Sequence, residues 1–187
     1  MSAPKRVLVP FATGTEDMEM VILTDVLSRA GIEVVRAAAD PGPVALHHGT
    51  RVLADVTLRE AREERFDLVA LPGGWSGAQK LDADPDLAFI LDRCKRERVP
   101  VGAVCSAPNV LRRHGFMGDE TPFTAHPDSL GFATGGAAEP DRATVTTPLL
   151  ITGRSAGHSL DWALELVASL LGADAREQVR ASLALLP

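Results

Sequence analysis

The stretch Val99-Pro100-Val101-Gly102-Ala103-Val104-Cys105-Ser106-Ala107-Pro108-Asn109-Val110-Leu111 decides the fold. Its first half, a run of small and β-branched residues, reads as a buried strand. Its second half has helical composition, with Pro108 tolerated in a first turn. Cys105 therefore falls where a strand gives way to a helix. At the amino end of a helix, the macrodipole and free backbone N–H groups favour a thiolate over a thiol. The placement is that of a nucleophile elbow carrying sulfur in place of a hydroxyl. Cys105 is thus expected to be a nucleophile rather than a core filler.

The same alternation extends in both directions. Arg6–Phe11, Ile32–Ala38 and Asp67–Pro72 read as further buried strands. Helical spacing follows from Glu16 to Ala30, with Met18, Ile22, Val26 and Ala30 on one stripe and Gly31 as the stop. Pro85–Arg98 forms another helix, with Leu87, Ile90, Leu91 and Cys94 inward, so Cys94 is a core residue. Val44–Leu46 and Thr50–Leu53 flank His47-His48-Gly49 as a short β excursion, and Leu58–Glu64 reads as a short helix. Gly115–Pro140 is loop with short strands. Ala143–Val145 and Leu149–Thr152 suit a hairpin, and helices run from Leu160 to Leu171 and from Ala173 to about Leu185. Strands alternating with helices imply one α/β domain over 1–187, a mostly parallel sheet covered on both faces.

Composition narrows the partners. A formal net charge of −6 without a basic cluster argues against nucleic acid or an anionic membrane surface. Aromatic content of 4% and no tyrosine leave no base-stacking platform. Two cysteines make no disulfide framework and suggest a reducing compartment. The N-terminal apolar run is too short for a signal segment and nothing approaches a membrane span, so the expected location is the cytoplasm. No Gly-x-Gly-x-x-Gly follows the first strand, so no nucleotide cofactor is expected. His47 and His48, neighbours on a strand, would point to opposite faces and share no metal ion.

In open α/β sheets, functional groups gather at the carboxyl ends of the strands. Three loops belong there: Gly14-Thr15-Glu16-Asp17-Met18-Glu19, Pro72-Gly73-Gly74-Trp75, and the turn at Cys105. The N–H groups of Gly73, Gly74 and Ser106 would form an oxyanion hole, and a carboxyl group from the first loop would reach the sulfur. Glu16 and Asp17 suit the cap and dipole of the helix that follows.

These segments, together with Thr124-Ala125-His126-Pro127 and Thr152-Gly153-Arg154-Ser155-Ala156-Gly157-His158, resemble the ThiJ/PfpI family in its deglycase branch, across essentially the whole chain. The resemblance implies a flavodoxin-like three-layer α/β/α sandwich that forms a homodimer. It implies that Glu19 bonds the sulfur of Cys105, that His126 is a nearby polar partner, and that Gly74 and Ser106 supply N–H groups. It implies cofactor-independent chemistry on small reactive carbonyls, such as methylglyoxal to lactate or removal of early glycation adducts. The alternative is a redox-sensing, chaperone-like protein in which the same cysteine is oxidised to the sulfinic acid. His48 and His158 stand at pocket-rim positions where the branch carries other residues. Ser106 replaces the branch's usual alanine and the histidine of its peptidase-like relatives. A glutaminase reading fails, because Val104 and Ser106 flank the cysteine and no downstream His-x-Glu pair follows.

Overall fold

The computed structural model describes residues 3–185. Strand β1 (Arg6–Phe11) leads into helix α1 (Asp17–Arg29) and strand β2 (Glu33–Ala38). A two-stranded excursion, β3 (Val44–Ala45) and β4 (Arg51–Val52), precedes β5 (Val56–Thr57) and α2 (Leu58–Ala61). Then come β6 (Leu68–Leu71), α3 (Trp75–Asp82), α4 (Pro85–Glu97), β7 (Val101–Val104) and α5 (Pro108–Arg113). Short β8 (Pro122–Phe123) and β9 (Ala137–Ala138) flank a 3₁₀ turn at Pro127–Phe132. The chain closes with β10 (Thr144–Thr146), β11 (Leu150–Gly153), α6 (Ser159–Leu171) and α7 (Ala173–Ser182).

Seven strands form the central sheet in the order β10-β11-β7-β6-β1-β2-β5. All its pairs are parallel except β10 with β11, the expected hairpin. Period-two alternation divides the strand side chains between two cores. Val7, Val9, Phe11, Leu68 and Ala70 pack with α1 and α6, around the fully buried Trp162. Leu8, Val69, Leu71, Val101 and Ala103 pack with α2 to α5. The sheet grows outward from β1 on one side through β2 and on the other through β6, so strand order reverses between the parallel pair β1 and β6, and the loops after these strands part and leave a crevice. That crevice positions the site. Among the described residues, no helix is long and apolar enough to cross a membrane.

One expectation needs correction. Helix α1 buries Glu19, Met20, Leu23, Val26 and Leu27, whereas Met18 is 51% exposed. The helix is apolar on two sides, and packing on α6 selects the side that carries Glu19 inward. Helix α3, which the sequence reading did not assign, begins at Trp75 directly after Gly74 and runs for two turns.

Candidate active site at Cys105

Cys105 follows β7 in the left-handed conformation, φ 62°, which costs a non-glycine residue about 1–3 kcal/mol. Three bonds hold it there. Its N–H donates to the Gly153 carbonyl at 3.0 Å, and its own carbonyl accepts from His126 N–H at 2.8 Å and Ser129 Oγ at 3.4 Å. The elbow leaves the side chain half-buried.

Glu19 meets it from the first turn of α1 and is itself fully buried. Its Oε2 accepts from Gly73 N–H at 2.6 Å. The carboxyl lies within hydrogen-bonding reach of the Cys105 side chain. Oε1 completes no bond of good geometry, so it is the oxygen left to take or give a proton. Gly73 makes the pairing possible. A Cβ there would fall 2.8 Å from each of Cys105 Cβ, Glu19 Oε2 and the Val104 carbonyl oxygen. Gly74 is constrained too: at φ 85°, a Cβ would lie 2.4 Å from the Gly14 carbonyl oxygen.

Burial dominates the electrostatics. It raises the Glu19 carboxyl from 4.5 to about 7, although the Gly73 N–H and the Cys105 side chain pull it down. Burial likewise raises the Cys105 thiol from 9.0 to about 12, reinforced by the charge and hydrogen bond of Glu19 and opposed by the N–H groups of Gly74 and Ser106. This corrects the expectation that a helix end alone favours the thiolate. Helix α5 begins three residues later and is six residues long, so its dipole does not outweigh desolvation. From about pH 7 upward the pair instead carries one negative charge and one proton, the charge resting chiefly on the Glu19 carboxylate and the proton on sulfur. Transfer of that proton to Glu19 makes the sulfur a thiolate facing two backbone N–H groups.

Cys105 opens on a cleft of about 350 Å³ lined by Glu16, His47, Gly74, Trp75, Cys105, Ser106, His126, Asp128, Ser129 and Phe132. Trp75 and Phe132 pack against each other at its edge, ring centroids 4.1 Å apart and planes tilted by 39°. A second hollow, of about 230 Å³, lies at the opposite ends of the strands beside Cys94. Burial pushes that thiol up to about 11 with no carboxyl bonded to it, and it packs in the core as expected.

The structure brings Cys105, Glu19, Gly74, Ser106 and His126 together and moves other expected residues aside. Gly73 spends its N–H on Glu19 and is not free for an oxyanion. His126 Nδ1 accepts from Asp128 N–H at 3.3 Å, capping the 3₁₀ turn while the ring lines the cleft. His158 lies outside the cleft, with Nδ1 2.9 Å from Ser155 Oγ. His48 also stands outside, 68% exposed, and His47 lines the cleft in its place. The expectation that these two rings diverge fails because residues 47–49 form a turn, not a strand; the rings lie edge to face at 4.6 Å. Glu16 occupies the cap position of α1 without capping it, and Asp17 accepts from the His48 and Thr50 N–H groups. Trp75 was placed in one of the three site loops but given no role, and Phe132, in a stretch rich in Gly and Pro, carried no sequence signal.

The DJ-1/PfpI family profile matches residues 5–169. The "Parkinson disease protein 7 homolog" of Danio rerio is 36% identical over 187 residues, covering 98% of each chain. The "Glutathione-independent glyoxalase DJR-1.2" of Caenorhabditis elegans is 30% identical over 174 residues, covering 92% of each. Among solved structures, Drosophila melanogaster DJ-1beta superposes with a TM-score of 0.94 at 29% identity, over 99% of this chain and 100% of that one. A sequence match of this span and a shared seven-stranded sheet bear out the resemblance read from the motifs, and the chain belongs to the DJ-1/PfpI family, in its DJ-1 branch.

Proposed function

We propose that the protein converts small 2-oxoaldehydes to 2-hydroxy acids without glutathione, metal or nucleotide, methylglyoxal to lactate being the simplest case. The observation that carries this reading is the buried carboxyl of Glu19 beside the Cys105 sulfur, with an ionisation midpoint near neutrality. The thiolate adds to the aldehyde carbon, and the carbonyl electron pair becomes an oxyanion beside the N–H groups of Gly74 and Ser106. That oxygen is protonated to the hemithioacetal. Glu19, now a carboxylate, removes the C–H proton to give an enediol and returns it to the neighbouring carbon. The aldehyde carbon is thereby oxidised to a thioester and the ketone carbon reduced to an alcohol, so no external oxidant is needed. His126 serves the neighbouring oxygen. Water then releases the acid and restores the thiolate. A deglycase acting on a hemithioacetal or aminocarbinol formed on another molecule uses the same groups.

The cleft volume suits a substrate of a few heavy atoms, and one relative bears the name of a glutathione-independent glyoxalase. The reading includes a homodimer, supported by Met18 and Val21, each 51% exposed on α1, and a reducing, cytoplasmic location, supported by two free cysteines. Incubating purified protein with methylglyoxal, and following lactate by NMR, tests the reaction. Cys105→Ala is expected to abolish turnover and Glu19→Gln to reduce kcat by about 10²–10⁴-fold, the usual range for a general acid–base group. Lactate formation unaffected by either substitution overturns the reading.

The second reading, a sensor in which Cys105 is oxidised to the sulfinic acid, rests on the same half-exposed sulfur and on a carboxyl able to donate to sulfinate oxygen. Mass spectrometry after mild peroxide separates the two. Oxygen uptake selective for Cys105, with a changed binding property, supports the sensor. Oxidation at Cys94 instead excludes it.

A further inference from the structure

Three side chains at the cleft mouth take no part in the proposed chemistry: Glu16, His47 and His48. One donor atom from each, a carboxylate oxygen and one nitrogen of either imidazole, lies within 4.8 Å of the other two. His48 Nε2 is 3.7 Å from Glu16 Oε2. Donors at zinc-type distances of about 2.0–2.2 Å sit roughly 3–3.5 Å from one another around the ion. The donors therefore stand within about 2 Å of the spacing that an ion imposes. The side chain of Glu16 is only 14% exposed, and its carboxylate spends no oxygen on capping α1. It is a carboxylate held in place without a structural task.

The backbone beneath these ligands is pinned. Glu16 N–H donates to the Gly73 carbonyl at 3.0 Å, and His47 N–H to the Thr15 carbonyl at 2.8 Å. The N–H groups of His48 and Thr50 donate to the two oxygens of Asp17, at 2.7 and 3.0 Å. A turn clamped to the start of α1 thus presents two imidazoles to one carboxylate.

We propose that Glu16, His47 and His48 bind a borderline divalent transition ion of the Zn²⁺, Co²⁺ or Ni²⁺ class. Two imidazoles with one carboxylate suit these ions, whereas Mg²⁺ and Ca²⁺ require oxygen ligands throughout. Three protein ligands leave at least one coordination position for water or an incoming oxygen. Because Glu16 and His47 also line the cleft, the ion stands at the entrance to Cys105. The proposal does not depend on the carbonyl chemistry, and its test measures no turnover.

Metal-stripped protein is titrated with Zn²⁺ alone by calorimetry and with Co²⁺ alone by visible absorption. Wild type is compared with Cys105→Ala, which removes the competing thiol, and with His47→Ala and His48→Ala in that background. Both histidines lie on an exposed turn, and circular dichroism verifies folding. One Zn²⁺ per chain is expected in wild type and in Cys105→Ala. Each histidine substitution should weaken binding at least about tenfold, the lower bound even for loss of an outer-shell partner. The Co²⁺ complex of Cys105→Ala should show ligand-field bands. The proposal is overturned by the absence of stoichiometric binding, by binding lost with Cys105→Ala, or by binding that either histidine substitution changes less than tenfold.

Discussion

Replacing Glu19 by glutamine removes one ionisation from the buried pair while keeping the side chain's shape and its acceptor for Gly73 N–H. Burial raises this carboxyl from 4.5 to about 7. At about 1.4 kcal/mol per tenfold change in proton affinity, that rise amounts to about 3 kcal/mol. Because the folded carboxyl holds its proton more tightly than the unfolded one, the native state carries the extra proton between those two pH values. The stability it contributes is complete below pH 4.5 and lost as pH rises through about 7. Glutamine cannot ionise and shows no such loss. Cys105 stays a thiol in the unfolded chain below about pH 8, so the difference between wild type and Glu19→Gln isolates the carboxyl. Urea unfolding of both proteins from pH 4.5 to pH 8 is the assay. The stability of Glu19→Gln relative to wild type is expected to increase by about 3 kcal/mol across that range. A flat difference would show that Glu19 titrates normally and does not sit desolvated beside the sulfur. A difference of opposite slope would mean a lowered carboxyl and would refute the electrostatic reasoning outright.

Two further outcomes follow from packing. Gly73→Ala places a methyl group 2.8 Å from atoms of Cys105, Glu19 and Val104. It should cost about 1–3 kcal/mol by overpacking, read by thermal denaturation, and it should slow Cys105 alkylation as the pair is displaced. Trp75→Ala removes one ring of the pair with Phe132, an aromatic contact worth about 0.5–1.5 kcal/mol. Its KM should rise several-fold more for an aromatic 2-oxoaldehyde such as phenylglyoxal than for methylglyoxal; equal effects would show that the rings do not contact substrate.

Much of the architecture was legible because strands buried on both faces announce themselves. Val7, Leu8 and Val9, like Val101 to Val104, are apolar at every position, and each run ends at a loop whose residues make no sense as core. The elbow was legible for the same reason: a cysteine between such a strand and Ser106-Ala107-Pro108 has few alternative placements. The orientation of α1 was not, since Met18, Val21 and Ile22 compete with Met20, Leu23 and Leu27 for the inner face and only packing on α6 decides. The roles of the two glycines were indistinguishable in one dimension: Gly73 donates to Glu19, while Gly74 and Ser106 donate toward the sulfur. The direction of the thiol shift was misjudged because desolvation depends on tertiary burial, which motif spacing does not report. His47 was placed on a strand and not at the cleft because a turn and a strand are both compatible with Leu46-His47-His48-Gly49 until the contacts of Asp17 are known.

The central claim is that Cys105 and Glu19 share one proton, so the sulfur becomes nucleophilic as the pair first ionises. The rate of Cys105 alkylation by iodoacetamide against pH, in wild type and Glu19→Gln, tests it most directly. Wild type should show an inflection near pH 7, where burial has placed the carboxyl, and Glu19→Gln should lose that inflection. Superimposable profiles for the two proteins would contradict the account.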